Sequence, residues 1–335
     1  MKHLLTWLAV AAALHAAPAL GDEPRRVGII GCDTSHVVAF TDLINAPDAD
    51  DARAGFRVTA AFPGGSDDLP DSYERVAGYV DELRKRDVEI IESIDELVDR
   101  VDAILLESVD GRPHLAQFRA AARGKPVFID KPLAASLADA LAIFAIADAT
   151  NTPCFSASGV RFTEQTTSLA TDPALGPLLG AETASPYKTE PHHPDWFWYG
   201  IHAVEPLVAL LGPGCQSVSC TESDAAALLV AVWHDGRLGT ARGIKIGKAD
   251  YLATAYGERG IGRRQGFSGY QGLVREICAF FATGQPPVPR QETIEILAIM
   301  EAAQESRQRG GAPVPLAEII EPAAAAAREA AAADH

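Results

Sequence analysis

The chain has 335 residues, 47% of them hydrophobic, and a formal net charge of −16 at neutral pH. That length accommodates two domains with sizeable cores. The acidic balance excludes a nucleic-acid-binding surface, which needs basic residues to displace phosphate counterions, and reads as a solvated face that favours solubility.

Residues 1–21 read as a secretory leader. Lys2 and His3 give a short positive end, Leu4 to Leu14 is an apolar run broken by Thr6, and Ala17-Pro18-Ala19-Leu20-Gly21 supplies small residues for cleavage. A membrane span needs about 20 apolar residues, more than this run or any later one offers. The expectation is an exported protein, periplasmic or extracellular, with a mature chain starting near Asp22 and no membrane span.

From Arg25 to Thr150 apolar strands alternate with amphipathic helices. Val27–Ile30, Phe56–Phe62, Val88–Ile91, Val101–Leu106 and Val127–Ile129 read as buried strands. His36–Leu43, Ser72–Arg86, the stretch after Ser93, His114–Arg123 and Leu137–Ala149 read as helices. This alternation predicts an α/β domain over residues 25–150, a Rossmann-type doubly wound parallel sheet. Beyond Asn151 the pattern changes. Val218–Thr221, Ala227–His234, Leu238–Lys245 and Tyr251–Tyr256 read as successive strands, with Asp235-Gly236 as a hairpin turn between two of them. Helices are expected at Ile201–Leu211, Tyr270–Thr283 and Glu292–Arg309. Residues 151–320 therefore predict an α+β domain with an open antiparallel sheet. The alanine-rich tail, residues 322–335, has helix propensity but little to bury, and is expected to fray and to carry no function.

Candidate chemistry begins at the turn after the first strand. A dinucleotide fingerprint uses three glycines to turn tightly, admit the pyrophosphate and pack the helix. Gly31 holds the first position, while Asp33 and His36 stand at the other two. A carboxylate within about 4 Å of a phosphate would cost on the order of 4 kcal/mol at an effective dielectric near 20, so Thr34 and Ser35 are the expected donors to a phosphate. Glu107 to His114 follows the fourth strand, at the carboxyl edge where such sheets bind ligands. Lys131, between an apolar strand and Pro132, is placed to polarise a hydroxyl or relay its proton. From Tyr187 to His202, aromatics interleave with polar groups (Lys188, His192, His193, Asp195, Trp196, Trp198, Tyr199), which suits a sugar ring. Neither these histidines, which lack a helical i, i+4 pair, nor the five cysteines, Cys32, Cys154, Cys215, Cys220 and Cys278, show metal-ligand spacing, so no metal is expected. Cys215 and Cys220 are near enough in sequence to pair across a loop.

The glycine turn, Asp130-Lys131-Pro132, Gly159-Val160-Arg161-Phe162 and Gly200-Ile201-His202 occur in this order. Together they resemble the Gfo/Idh/MocA family of NAD(P)-dependent sugar and cyclitol dehydrogenases, over nearly all of the chain after the leader. The resemblance implies NAD or NADP as cofactor, held by Gly31, Asp33, Thr34, Ser35, Glu107, His114 and Lys131. It implies Lys131 and His202 as catalytic residues, and a carbohydrate or cyclitol substrate bound by Arg161 and the 188–199 segment. It also implies a homo-oligomer formed through the C-terminal sheet. The family's aspartate four residues before the histidine is Trp198 here, so Asp195 or Glu205 is expected to orient His202. Free NAD is scarce outside the cytoplasm, so an exported member would retain its cofactor through a redox-neutral cycle. The alternative is a non-catalytic exported sugar-binding protein that keeps the fold without hydride transfer.

Overall fold

The computed structural model describes residues 23–50 and 52–332; the leader expected at residues 1–21 lies outside them. Eleven elements open the chain: β1 (Arg25–Ile30), α1 (His36–Ile44), β2 (Phe56–Phe62), α2 (Pro70–Arg84), β3 (Glu89–Ile90), α3 (Ile94–Arg100), β4 (Ala103–Leu106), α4 (His114–Ala121), β5 (Val127–Ile129), α5 (Leu137–Thr150) and β6 (Cys154–Ser156). Their strands form a parallel sheet in the order β3-β2-β1-β4-β5-β6. The central strands are continuous apolar runs because helices cover both faces. Leu97, Phe118 and Ile143 pack on one side, Val37, Phe40 and Leu83 on the other. Strand order reverses between β1 and β4, and ligands of such sheets bind outside the carboxyl ends at that point.

A 3₁₀ turn (Gly159–Phe162), α6 (Glu164–Ala170), β7 (Leu178–Pro186), a π-helical turn (Trp196–Gly200) and α7 (Ile201–Leu211) follow. Then come β8 (Cys215–Glu222), β9 (Ala226–Trp233), β10 (Leu238–Ile244), β11 (Leu252–Gly257), β12 (Ile261–Gln265), α8 (Gln271–Thr283), α9 (Arg290–Gln308), β13 (Val314–Pro315) and α10 (Leu316–Ala332). The second sheet runs β12-β11-β7-β10-β9-β8-β13. It is mostly antiparallel, as expected, with β7 and β10 paired in parallel. β7 has no counterpart among the expected strands. Its sequence, Leu-Leu-Gly-Ala-Glu-Thr-Ala-Ser-Pro, contains Gly, Ala, Glu and Pro, residues depleted in strands; its Thr183 hydroxyl donates to the Ala203 carbonyl of α7 at 2.7 Å, a close approach of strand and helix.

Three expectations are revised by packing. β6, at residues 154–156, belongs to the first sheet, so the chain leaves that sheet later than residue 150. α8 returns to the first sheet's core through Leu273, Val274 and Ile277. Most of the tail expected to fray forms the second half of α10. Its Ala323 and Ala327 are buried, because small side chains let helices pack closely. All five cysteines are free and buried; Cys215 and Cys220 lie on the same strand and do not pair. No helix among the described residues is long and apolar enough to cross a membrane.

Candidate active site

Three loops meet at the carboxyl edge of the first sheet. Gly31 has φ +89°, and a Cβ there would lie 2.3 Å from Ser108 Oγ and 2.5 Å from its amide nitrogen, so only glycine fits. Asp33, fully buried, accepts from the Val109 amide at 2.8 Å and from Ser72 Oγ at 2.6 Å. Burial pushes its carboxyl above the ordinary value despite those two bonds. Asp33 is therefore turned inward, a loop tie rather than a cofactor contact, which corrects its expected role. Further out, Ser66 Oγ donates to Asp110 at 2.7 Å, and Arg112 clasps both Asp110 and Asp68 at 2.7–3.0 Å. Burial would raise the Asp110 carboxyl, but bonds from His193, Arg112 and Ser66 outweigh it and hold the group well below the usual carboxylate range.

Lys131 follows β5 in a turn anchored by the buried Leu133 and Ala134. A Cβ on Gly111 would sit 2.9 Å from the Ala134 carbonyl carbon, so this turn packs directly on the β4–α4 loop. His114 staples the same two loops, its ring nitrogens 2.8 Å from the Ser108 carbonyl and 3.2 Å from that of Leu133. Burial depresses its pKa; the neutral ring can donate its single N–H to only one of these carbonyls, but both nitrogens face the loops and the ring is fully buried, so His114 supports the site instead of holding a cofactor.

Between the domains lies a cleft with about 700 Å³ of empty space, part of it open to solvent. Thr34, Ser35, His36, Arg75 and Lys131 line it from the first domain; Trp198, Tyr199, His202 and Tyr251 line it from the second. Phe267 and Tyr270 close it. Ring contacts run unbroken around this wall, from Tyr199 to His202 (5.7 Å), Tyr251 (6.0 Å), Phe267 (5.6 Å), Tyr270 (5.0 Å) and His36 (4.7 Å). The Lys131 amine lies 5.8 Å from the Tyr199 ring centroid. His202 bonds through Nδ1 to Ser158 Oγ at 2.8 Å. Its pKa is well below the ordinary imidazole value, through burial first and the Lys131 charge second, so the ring is neutral.

The structure thus brings Thr34, Ser35, Lys131, Trp198, Tyr199 and His202 to one cleft, although Lys131 and His202 are 71 positions apart. Other expected residues lie elsewhere. Trp196 is in the core against Tyr187. Arg161 pairs with Glu292, Asp195 with Arg307 at 2.5 Å, and the exposed His192 with Glu190 at 2.9 Å. His193 is buried, its Nε2 3.1 Å from the Gly111 amide. Lys188 sits 5.4 Å over the Tyr199 ring but outside the cleft lining. Neither Asp195 nor Glu205 orients His202; Ser158 does, and Glu205 instead accepts from the Ser158 amide at 2.7 Å. Glu107 is fully buried beside Asp130, and neither of its oxygens has a hydrogen-bond partner. Arg75, Tyr251, Phe267 and Tyr270 were not foreseeable as site residues, because only the folded chain carries α2 and the β11–α8 region to the cleft. His36 had a signal, an imidazole where the fingerprint requires glycine.

Residues 25–158 match the family described as GFO_IDH_MocA, "Oxidoreductase family, NAD-binding Rossmann fold". Over those residues the chain is similar to the Gfo/Idh/MocA oxidoreductase family. No curated protein matches the sequence. Among solved structures, myo-inositol 2-dehydrogenase from Lactobacillus plantarum is similar with TM-score 0.72 and 15% identity, covering 88% of this chain and 99% of that one. Scyllo-inositol dehydrogenase from Lactobacillus casei, solved with NAD(H) and scyllo-inositol, gives 0.71 and 13%, covering 88% and 100%. GenD2 from gentamicin A biosynthesis, solved with NAD, gives 0.70 and 17%, covering 90% and 99%. At these identities the likeness is one of fold.

The first-domain residues of this cleft fit a dinucleotide. Thr34 and Ser35 sit at the amino end of α1, where backbone N–H groups and the helix dipole favour a phosphate. Arg75 adds a guanidinium, paired with Asp71, and the carboxylate of Asp33 is absent from the lining. Lys131 and His202 line the same cleft.

Proposed function

We propose that this protein is an exported NAD-dependent oxidoreductase acting on a cyclitol or carbohydrate, with a cofactor retained through a redox-neutral cycle. The observation that carries the reading is the convergence of Lys131 and a neutral His202 on one aromatic-walled cleft beside the α1 amino end. The inositol dehydrogenases among the structural neighbours support the substrate class.

A bound nicotinamide would supply the hydride acceptor. The chain's own residues do the rest. Tyr199, Tyr251 and Trp198 offer ring faces to the C–H side of a polyol. With Nδ1–H donating to Ser158, His202 presents Nε2 as a hydrogen-bond acceptor that orients a substrate hydroxyl. The Lys131 ammonium stabilises negative charge as it develops on that oxygen. The aromatic wall limits water around the reacting carbon.

Export is supported by the Lys2, apolar-run and small-residue succession at residues 1–21, and intact-mass analysis of protein secreted by a bacterial host tests it. A redox-neutral cycle is supported by the scarcity of free NAD outside the cytoplasm. The experiment for the whole reading is acid extraction of native-purified protein, followed by dinucleotide assay and calorimetric titration with NAD. Retained NAD, or tight rebinding after stripping, is expected. A folded protein that binds a polyol but no dinucleotide would leave a non-catalytic sugar-binding module instead.

A further inference from the structure

His36, at the third fingerprint position, is bonded at both ring nitrogens. Nδ1 lies 2.7 Å from Asp130 Oδ2, and Nε2 lies 3.0 Å from the Tyr270 hydroxyl. The ring stacks on Phe40 at 5.2 Å and meets Tyr270 edge-on, so its orientation is fixed by packing as well as by hydrogen bonds. The three groups come from separate parts of the chain: the start of α1, the end of β5 and the residue before α8. Asp130 and His36 are buried, whereas Tyr270 is half-buried and borders the cleft. A carboxylate bonded to Nδ1–H fixes the tautomer in which Nε2 accepts from the tyrosine O–H, which leaves the tyrosine oxygen's lone pairs free.

Asp130 is the acidic group bonded to His36; Lys131, beside it in sequence, and His202, across the cleft, are the nearby basic groups. Glu107 brings a ligand-type atom within 4.8 Å of those of His36 and Asp130. Burial first, and the Asp130 charge second, hold the Glu107 carboxyl well above its ordinary value. Glu107 is thereby kept neutral, and the negative charge of the cluster rests on Asp130.

We propose that Tyr270, His36 and Asp130 form a proton relay into the substrate cleft, with Tyr270 as a catalytic residue and His36 and Asp130 as positioning residues. The relay rests on the oxidoreductase reading and supplies the carboxylate-backed base that Trp198, standing where the family has aspartate, cannot. In the step, the substrate O–H bond breaks and its proton goes to the Tyr270 oxygen. The tyrosine's own proton moves to His36 Nε2, giving an imidazolium beside the Asp130 carboxylate. The electron pair left on the substrate oxygen forms the carbonyl as hydride leaves for an oxidised nicotinamide, the oxidant by chemical class. Reversal returns the proton.

The test uses the full mature protein. Proton NMR in water should show a strongly downfield His36 Nδ1–H resonance that disappears in Asp130→Asn and His36→Gln. With NAD and a polyol, Tyr270→Phe should lower kcat by about 10²-fold, as loss of an acid–base group does, with KM changed less than about threefold, and should remove one ionisation from the kcat pH profile. Circular dichroism checks that both His36→Gln and the milder Tyr270→Phe fold. Absence of the resonance in the wild type, kcat of folded Tyr270→Phe within about twofold of wild type, or a stoichiometric divalent cation found by elemental analysis and lost in Glu107→Gln would each overturn the relay. If the wild type itself oxidises no polyol, the oxidoreductase reading falls and the catalytic role with it. Failure confined to the variants falls on the relay alone.

Discussion

Lys131 borders the cleft at 8% exposure, on a turn whose fold is held by Leu133, Ala134 and Gly111 and not by the lysine itself. Lys131→Met should therefore leave the circular dichroism spectrum unchanged and lower turnover by about 10²–10⁴-fold; steady-state kinetics on folded variant checks it, and a loss below tenfold would contradict the assignment. Glu205 makes a prediction about stability. Burial first, against the Arg161 charge, raises its carboxyl from 4.5 to about 7. The folded state thus holds this proton more tightly than the unfolded state does. The stabilisation is complete below about pH 4.5 and is lost as pH rises to about 7, at about 1.4 kcal/mol per unit. Glu205→Gln keeps an acceptor for the Ser158 amide and should remove this slope, so that urea denaturation finds the variant more stable than wild type at pH 8. At this scale the sequence was informative where a motif names a residue, as for Lys131 and His202. It was silent where a partner arrives from afar. No spacing connects His36 with Tyr270, 234 positions away, or Asp33 with Ser72.

The loops after β1, β2 and β4 are tied together at the carboxyl edge of the first sheet, by Asp33 to Val109 and Ser72, by Ser66 to Asp110, and by Arg112 to Asp68. Removing the Asp33 acceptor leaves the buried Val109 amide unsatisfied. Asp33→Ala should cost about 1–3 kcal/mol of stability, measured by denaturant titration, and an unchanged midpoint would show that the tie is unimportant. The clasp of Arg112 is the outermost link, so Arg112→Ala should speed NAD association in stopped-flow fluorescence; a slower rate would mean that Arg112 itself receives the cofactor. Strands such as Ala103–Leu106 were legible because burial on both faces writes a continuous apolar run. β7 was not, because its Gly, Ala, Glu and Pro residues carry no strand pattern. α10 was misread for the converse reason: alanine propensity says nothing about a partner, and the partner surface that buries Ala323 and Ala327 is supplied by the fold.

Across the whole molecule, helices α7 and α9 cover one face of the second sheet. On β9 the opposite face carries Leu228, Val230 and Val232, half-buried, and exposed Leu238 of β10 continues it opposite Val232. That apolar face supports the proposal of a homo-oligomer formed through the sheet. Leu238→Glu should shift sedimentation toward the monomer, and a wild type already monomeric at high concentration would count against it. The two-domain plan follows from the change in alternation near residue 150, whereas the cleft depends on α8 folding back onto the first sheet and bringing Tyr270 to His36. The central claim is that this cleft oxidises a polyol with NAD. The direct measurement is anaerobic mixing of mature protein and NAD with a panel of cyclitols and sugars, following the near-ultraviolet absorbance of reduced nicotinamide. A transient of reduced nicotinamide, at most one equivalent per protein, should form on rapid mixing with at least one polyol in the wild type and none in Lys131→Met; folded wild type that binds a polyol yet shows no such transient with any of them would contradict the account.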